Sequence, residues 1–539
     1  MIAMLQSASL PAPPARSKLA REQAAAALQS GDAGDAERLL RKHLLEQPAD
    51  AEALTMLAAL KVDQRQIEEA TALLRRAAGA DPSPQRQIAL IRHFQAHVGA
   101  ELALKEIESL PPGARLSFDM QATEAAMLGA LGEHERQIAI YERLSAANPA
   151  NHALWKTLGD SFKTVGRYDE AVAALRRSID ARPSYGEAWW TLSNFKAFKF
   201  TERDLSAMNK ALRGKLSDED ALHFHFALGK AYEDRGDYPK SFRHYGAGKA
   251  IRRKASPPNP MWTRDFVDRA TAALSPALFA HHQGGGCPAP DPIFVLGLHR
   301  SGSTLVEQIL SCHPLIEGTQ ELTVMQQIWD RLGRIGALSG RGPFQELMQL
   351  DGQALASLGA EYIERTRASR FTDRPHFVDK LPANWMNIGL IRLALPNAKI
   401  IDARRHPMAC GFSNFKQNYA SGITFAHSQE SIGAFYRDYL RFMAHIDAVQ
   451  PGTVHRILNE KLIDDPEGQT RRLIDYLGLP FDDACLSPHR NKRAVATPSA
   501  EQVRRPINRD GVDAWRHCEP WLGPMKAALG DAFDRWDRP

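Results

Sequence analysis

A continuous apolar stretch that turns into a helix through two glycines is the feature that most restricts the fold of this chain. Residues 293–296 are all apolar, and Gly297 and Gly302 enclose a short turn before an amphipathic stretch that ends at residue 310. A strand buried on both faces has such a run. A turn at a helix N-terminus presents backbone N–H groups to an anion. The sequence therefore predicts a strand, an anion-binding turn and a helix.

The residues of this turn indicate which anion it suits. The spacing of Gly297 and Gly302 matches the first part of a nucleotide-binding P-loop, but Ser303 stands where that loop has its lysine. The turn instead supplies one cation and three hydroxyls, from Arg300, Ser301, Ser303 and Thr304. We therefore expect the turn to bind one phosphate of a nucleotide, but we do not expect an ATPase or a GTPase. The alternative is a buried strand-turn-helix that binds no ligand.

The N-terminal half is repetitive. Pro48, Pro82, Pro149 and Pro183 each close a helical stretch, and their separations are 34, 67 and 34 residues. A period of 34 residues is typical of the tetratricopeptide repeat. The clear copies are at 155–183 and 228–245, and weaker copies are at 17–49, 50–83, 84–117, 118–150 and 185–218. The alternative is a set of alanine-rich helices without a common register.

Small and large residues alternate within the clearest repeat. Gly159 and Ala171 allow two helices to approach, while Trp155, Phe162 and Leu175 fill the space between them. Such arrays bind peptide segments, mediate self-association or pack against another domain. We expect a disordered tail at 1–16, the repeat array at 17–252, a linker with a short helix at 253–289 and a second domain at 290–539.

Short apolar runs alternate with helical periodicity in that second domain. The predicted strands are 292–297, 376–379, 398–403 and 454–458; the predicted helices are 303–311, 384–395, 408–420, 431–448 and 467–477. This alternation predicts an α/β fold, a parallel sheet covered by helices. The nucleotide is expected at the carboxyl ends of the strands.

The amino-acid composition argues against several classes of protein and of binding site. A formal charge of +5 and 24% charged residues, with no dense basic tract, argue against nucleic-acid binding. Five scattered cysteines argue against a zinc site or a disulfide framework. No 18-residue apolar run predicts a membrane span, and residues 1–16 lack the features of a signal peptide. We expect a cytoplasmic protein without a metal.

The loop at 292–304 resembles the 5′-phosphosulfate-binding loop of sulfotransferases. It is most similar to the tyrosylprotein sulfotransferase branch, whose loop reads Pro-Arg-Ser-Gly-Thr-Thr; here His299 replaces the proline and Ser303 a threonine. The resemblance covers about residues 290–520. It implies a P-loop-like sulfotransferase domain after the all-α solenoid, with 3′-phosphoadenosine 5′-phosphosulfate (PAPS) as donor substrate.

The resemblance implies catalytic roles for Arg300 and for two residues outside the loop. Lys380, just past a predicted strand, matches a lysine at the bridging oxygen, and Glu321 matches the general base. A glutamate within hydrogen-bond reach can take the acceptor's proton. Glu317 and His299 are rival bases.

The 3′-phosphate of the donor is assigned by the same resemblance to Arg405 and Ser413. Arginine offers a planar fork of donors, and eight residues span about two helical turns. Arg404 is the competing arginine. At the position where the family has a further arginine, this chain has Gln417, and Lys416 is the candidate to take over its role at the 3′-phosphate.

The segment 497–507 resembles the family's C-terminal segment that folds over the donor. It supplies Ser499 as a further catalytic serine, and Trp515 matches the tryptophan that follows. Two departures are Ala514 in place of a lysine, for which Arg504, Arg505 or Arg516 could substitute, and Asn459 in place of a tyrosine against the adenine.

These patterns predict a PAPS-dependent sulfotransferase that acts on a hydroxyl, with a peptide tyrosine as one candidate acceptor presented by the repeats. The departures leave a second hypothesis, a repeat scaffold with a degenerate nucleotide-binding domain. A nucleotide kinase is a third, which the absent lysine disfavours. The acceptor, the oligomeric state and the repeats' partner stay open.

Overall fold

The computed structural model describes residues 15–30, 32–64, 66–195, 197–419, 422–491, 493 and 500–538. The chain folds into two compact units, Met1–Leu192 and Ser193–Pro539. Each unit has its own architecture. The described part contains no helix with the length and apolar character needed to cross a membrane.

The first unit is helical in its described residues. Its helices are α1 (Ala15–Gln29), α2 (Ala33–Glu46), α3 (Ala51–Asp63), α4 (Ile67–Ala80), α5 (Pro84–His93), α6 (Ala100–Ser109), α7 (Pro112–Arg115), α8 (Phe118–Ala130), α9 (His134–Ala147), α10 (His152–Thr164), α11 (Tyr168–Ala181) and α12 (Gly186–Ser193, which reaches the second unit). A π-helical turn, Phe94–Val98, continues α5. Consecutive helices pack in pairs, as in α3 with α4 and α10 with α11.

The sequence explains where these helices begin and how closely they pair. Asp50 begins α3 and Asn151 begins α10, because each side chain accepts a hydrogen bond from an amide of the first helical turn. A Cβ on Gly159 would lie 2.8 Å from Leu175 Cγ and 3.3 Å from the Ala171 carbonyl oxygen. The close approach predicted for this repeat is therefore present.

The second unit contains a five-stranded sheet. The strands are β1 (Pro292–Gly297), β2 (Ile316–Gly318), β3 (His376–Lys380), β4 (Lys399–Arg404) and β5 (Val454–Leu458), in the order β2-β3-β1-β4-β5. Every pairing is parallel, and β1 is buried along its whole length at the centre. The predicted parallel sheet is confirmed. The three-residue edge strand β2 was not expected, because it is too short to give an apolar pattern.

Helices surround the sheet in this unit. They are α13 (Glu202–Leu212), α14 (Asp218–Glu233), α15 (Tyr238–Ala255), α16 (Pro260–Ala273), α17 (Pro276–His281), α18 (Ser303–Ser311), α19 (Val324–Leu338), α20 (Pro343–Leu347), α21 (Gly352–Arg367), α22 (Ile388–Ala394), α23 (Pro407–Phe415), α24 (Gln429–Val449), α25 (Asn459–Asp464), α26 (Pro466–Leu477), α27 (Ala500–Val503), α28 (Gly523–Leu529) and α29 (Ala532–Arg535). Short 3₁₀ helices are Pro382–Asn387, Thr424–His427, Asp483–Leu486, Pro488–Arg490 and Ala514–Trp521.

The segment before the sheet is more structured than a linker with one short helix. It contains both α16 and α17. Phe266 of α16 packs edge-to-face on Trp385 and Phe442, with ring centroids 6.1 Å from each. The hairpin α14–α15 also belongs to this compact unit and not to the first one. Buried aromatic contacts, which single-sequence periodicity does not show, hold these helices against the sheet domain.

Candidate active site

The turn between β1 and α18, residues 298–302, is a tight loop that only certain residues can form. Gly297 and Gly302 have φ angles of 138° and 99°, and Arg300 between them has φ 68°. A Cβ on Gly302 would lie 2.5 Å from Asn459 Oδ1, and one on Gly297 would clash with the Ala403 carbonyl oxygen. Strained non-glycine residues such as Arg300 persist where the surrounding structure fixes them, which is common at functional sites.

Arg300 is fixed by residues distant in sequence. Its Nε donates to Ser413 Oγ on α23 at 3.0 Å, and its Nη2 donates to Gln502 Oε1 at 3.3 Å. Arg405, just past β4, donates from Nη1 to the Arg300 carbonyl oxygen at 3.2 Å and from Nη2 to the Gly511 carbonyl. Three predicted donor-binding residues, Arg300, Arg405 and Ser413, therefore lie together.

Several polar atoms at this loop are buried without a hydrogen-bond partner. They include the Ser301 hydroxyl and Arg405 Nε. Arg405 forms no ion pair with any described residue, and burial lowers the pKa of its guanidinium. Burial also lowers the pKa of Arg300. A guanidinium N–H and a hydroxyl that are withdrawn from water and left unsatisfied, as at Arg405 and Ser301, are suited to an anionic ligand.

A small cavity of about 120 Å³ opens on the loop. Gly302, Ser303 and Thr304 line it from the loop side. The C-terminal segment covers it from the other side through Gln502, Arg505, Ile507 and Gly511. Asn459 also lines it, where the resemblance expects an aromatic residue. We call this the donor cavity.

Arg404 and Arg405 are consecutive but serve different regions. The Arg404 guanidinium donates to Asp402 Oδ2 at 2.7 Å and to the Trp536 carbonyl oxygen at 2.9 Å. Because successive side chains of a strand point to opposite faces, only Arg405 reaches the loop. The sequence alone left this choice open.

Lys380 ends β3 beside the central strand, opposite Val295. Its side chain is 2% exposed and forms an ion pair with Glu321, whose side chain is 46% exposed. A second carboxylate, Glu307 of α18, lies 3.9 Å from the same ammonium group. The structure thus joins a buried cation to a solvent-accessible carboxylate, as the catalytic assignment of Lys380 and Glu321 requires.

Glu307 and Arg493 are site residues that sequence reasoning missed. Arg493 forms an ion pair with Glu307 and also donates to the Thr319 carbonyl. Burial raises the pKa of Glu307, although Arg493 and Lys380 oppose this effect. The sequence did contain a signal for Glu307, because it is a charged residue in a predicted helix with apolar residues on both sides of it. Arg493, 186 residues further on, had no local signal.

The two rival bases have different surroundings. Glu317 accepts hydrogen bonds from the amides of Phe371 (2.6 Å) and Thr372 (3.1 Å) and from the Thr372 hydroxyl (2.8 Å), so its carboxylate fixes a loop. Burial lowers the pKa of His299 to about 4, so its imidazole is neutral at neutral pH.

His299 also borders a second cavity of about 140 Å³. This cavity is lined by aromatic side chains, Trp262, Trp385, Phe425 and Phe435. The His299 ring lies 5.9 Å from the Phe425 ring, and Asn414 Nδ2 donates to the His299 carbonyl oxygen at 2.7 Å. An apolar chamber therefore adjoins the loop.

The remaining predicted residues lie as follows. Ser499 lies outside the described residues. Trp515 is buried and stacks on His406, with ring centroids 5.2 Å apart. Lys416 pairs with Glu233 at 2.5 Å, so its ammonium is already engaged. Arg516 pairs with Asp513, whereas Arg505 reaches the donor cavity. Among the described residues, no group of three or more His, Cys, Asp or Glu could hold a metal ion.

A parallel sheet, a tight turn after its central strand and the arginines around that turn characterise this α/β domain. Residues 292–483 match the family model described as "Sulfotransferase family". Residues 27–92, 128–185 and 156–194 match two models described as "Tetratricopeptide repeat". The chain therefore contains a sulfotransferase-family domain preceded by tetratricopeptide repeats.

Similar proteins include distant relatives. An "Uncharacterized protein" of Aquifex aeolicus (strain VF5) is 29% identical over 401 residues, which is 72% of this chain and 52% of that protein. The chain thus spans about half the length of that relative. "Protein-tyrosine sulfotransferase 1" of Danio rerio is 24% identical over 270 residues, 44% of this chain and 71% of that protein.

Among solved structures, the "Sulfotransferase Domain from the Synechococcus PCC 7002 Olefin Synthase" is similar at 23% identity with a TM-score of 0.33. The match covers 43% of this chain and 88% of that one.

Proposed function

We propose that this protein transfers the sulfuryl group of PAPS to an acceptor hydroxyl. The family and fold support sulfuryl transfer in general. The observation that carries the proposal is the pair of buried, unsatisfied donors at the turn after β1, Ser301 Oγ in the turn itself and Nε of Arg405, which donates from Nη1 to the Arg300 carbonyl oxygen. Such donors suit a phosphate and a sulfate held together.

The donor's 5′-phosphosulfate occupies the loop, with Arg300, Ser301, Gly302, Ser303 and Thr304 around it. The N-terminus of α18 and the hydroxyls supply hydrogen-bond donors without any metal. Arg405 and Ser413 serve the 3′-phosphate. Arg300 and Lys380 neutralise the charge that develops on the transferring group and on the leaving phosphate.

The reaction is an in-line displacement at sulfur. The acceptor oxygen forms a new bond to sulfur as the bond between sulfur and the 5′-phosphate oxygen breaks. Glu321 takes the acceptor's proton. Lys380 leaves its ion pair with Glu321 to meet the departing oxygen, so one residue pair serves both ends of the reaction.

A peptide tyrosine is the acceptor that best fits the surroundings. The aromatic cavity at His299, Trp262 and Phe425 offers apolar contact to a ring. The similar Danio rerio protein named protein-tyrosine sulfotransferase 1 supports this acceptor. The assignment to this chain is a proposal.

Calorimetric titration with adenosine 3′,5′-bisphosphate, the product nucleotide, tests the donor site. We expect Arg405→Ala to weaken binding by about 10- to 100-fold. Arg367→Ala, which removes an exposed arginine that pairs with Glu364 away from the donor cavity, is the matched control and should bind like the parent. Absence of binding to the parent chain would contradict the proposal.

Labelled PAPS with a pool of peptides, phenols and glycans tests the chemistry. Lys380→Ala should keep nucleotide binding within about tenfold but lose transfer by about a thousandfold. Transfer that survives in this variant would refute the role of Lys380.

The non-catalytic scaffold is favoured by one observation, the engagement of Lys416 with Glu233 beside Gln417. It predicts that the parent chain binds the product nucleotide weakly or not at all and labels no acceptor.

A further inference from the structure

One cavity of the second unit lies apart from the loop. It measures about 850 Å³ and is lined by residues of α16, β4, α24, α29 and the segment after α29. Six of its lining residues are arginines, namely Arg264, Arg404, Arg437, Arg441, Arg535 and Arg538. Only two carboxylates, Asp438 and Asp531, line it with them. We call this the arginine cavity; it shares no lining residue with the donor cavity.

Local ion pairs leave part of this positive charge unbalanced. Arg535 pairs with Asp531, and Arg441 pairs at 2.7 Å with Asp268 outside the lining. In the described part of the chain, the guanidinium groups of Arg264 and Arg538 form no ion pair. Cations that converge from several elements repel one another unless an anion joins them.

The wall of the cavity contains buried polar atoms without partners. Arg404 is 3% exposed, and its Nε has no hydrogen-bond partner although its two Nη atoms are engaged. Asp438 is 2% exposed and pairs with Arg437 at 3.5 Å, so one of its two carboxylate oxygens offsets part of the positive charge. Burial raises the pKa of Asp438, with Arg437, Arg441 and Arg264 opposing it. The unsatisfied buried Nε–H of Arg404 calls for an acceptor, which an anion supplies.

We propose that the arginine cavity is a second anion-binding site, for a small polyanion that carries two or more phosphate or sulfate groups. Guanidinium forks match the oxygens of both groups. The volume of about 850 Å³ is that of a site for a ligand larger than a single phosphate. This inference does not depend on the proposed sulfuryl transfer, since no residue of the loop takes part.

Calorimetric titration with sodium tripolyphosphate at about 0.15 M salt tests the site. The chain carries Arg405→Ala in every case, so that the donor cavity does not contribute. The double variant Arg264→Ser/Arg441→Ser removes two exposed cavity arginines and should weaken binding by about tenfold or more. Arg367→Ser/Arg471→Ser removes the same charge from exposed helix surfaces outside the cavity and is the matched control.

We expect the control pair to change affinity by no more than about twofold. Equal losses in both double variants would show that net charge alone attracts the probe and would overturn the proposal. Inorganic phosphate should bind at least about tenfold more weakly than tripolyphosphate, because it reaches fewer arginines. Equal affinity for the two would contradict a polyanion site.

A trisulfated disaccharide, titrated in parallel, separates the two sources of charge. Tighter binding of tripolyphosphate assigns a phosphate ligand, and tighter binding of the disaccharide assigns a sulfated glycan. If neither probe binds the chain that retains all six arginines, the site does not exist. Circular dichroism of each variant confirms that lost binding is not lost folding.

Discussion

Two helical hairpins of this protein share one residue register but have different surroundings. The pair α10–α11 lies in the first unit and α14–α15 in the second. Their equivalent positions are 70 residues apart: Gly159 and Gly229, Tyr168 and Tyr238, Leu175 and Tyr245, Ile179 and Lys249. In both hairpins the glycine lies under the large side chain, since an added Cβ would approach Leu175 to 2.8 Å or Tyr245 to 2.6 Å.

The difference lies at the last of these positions. Ile179 is a buried apolar residue, as a stacked repeat requires. Lys249 is only 3% exposed, and its Nζ donates to the Gln417 carbonyl oxygen at 2.9 Å and to that of Asn414 at 3.4 Å. These two carbonyl groups lie at the C-terminal end of α23, the helix whose Ser413 accepts a hydrogen bond from Arg300. Lys249 therefore links the hairpin α14–α15 to the helix that borders the candidate donor site.

Replacing the lysine should have the largest effect. Lys249→Met leaves the carbonyls at the end of α23 without their buried donor, and we expect a loss of about 2 to 4 kcal/mol. Ile179→Met, the equivalent change in the other hairpin, should cost less than about 1.5 kcal/mol. Hydrogen exchange of the α23 amides and nucleotide titration measure the result. Unchanged exchange and affinity in Lys249→Met would show that the hairpin does not support the loop.

Acid should weaken α14–α15 next most strongly. His225 and His244 lie with their Nδ1 atoms 3.0 Å apart, and burial lowers the pKa of His244 to about 4. The folded pKa is below the usual value of about 6.5, so the unfolded chain binds more protons and stability falls as pH falls from about 6.5 to 4. We expect a loss of about 2 to 3 kcal/mol over this window.

Urea unfolding between pH 7 and 4.5 measures this loss, and His244→Gln should make the profile flatter. A variant profile parallel to that of the parent would contradict the assignment to His244.

Adding a methyl group where the two helices of a hairpin approach closely should have an intermediate effect on stability. Gly229→Ala drives a Cβ into the buried ring of Tyr245 and should cost about 2 kcal/mol. Gly159→Ala should cost less, because the Leu175 side chain can change its rotamer. Gly246→Ala on α15, where a Cβ meets nothing within 4 Å, should stabilise the helix by about 1 kcal/mol. Urea midpoints rank the three, and equal costs at Gly229 and Gly246 would contradict the packing argument.

Removing the aromatic residue at the start of α15 should have the smallest effect on stability. The Tyr238 ring stacks on His517, with centroids 4.4 Å apart and planes within 3°. Tyr238→Ala should cost about 1 kcal/mol through the loss of this stack. A double-mutant cycle with His517→Ala isolates the pair, and a coupling energy near zero would remove this contact from the comparison.

Local patterns allowed much of the fold to be predicted. The strand β1, the turn at Gly297 and Gly302 and the helix α18 were predicted with their observed bounds, and the repeats are confirmed by the family models. The helix expected at 408–420 ends at Phe415. Lys249, about 165 residues earlier, donates to carbonyl groups at this end of the helix, and no local sequence pattern shows that contact. The helices from α13 to α17 belong to the second compact unit, and contacts between distant segments, such as that of Phe266 with Trp385, are not visible in local patterns.

The sequence alone determined the repeat period, the buried central strand and the residue types of the loop, because periodicity, glycine spacing and apolar runs act between near neighbours. Only the tertiary structure decided that Arg405 and not Arg404 meets Arg300, that Glu317 fixes a loop while Glu321 pairs with Lys380, and that Glu307 and Arg493 join them. Those choices depend on which face of a strand a side chain takes and on ion pairs between distant segments, and both are set only when the sheet and its helices pack.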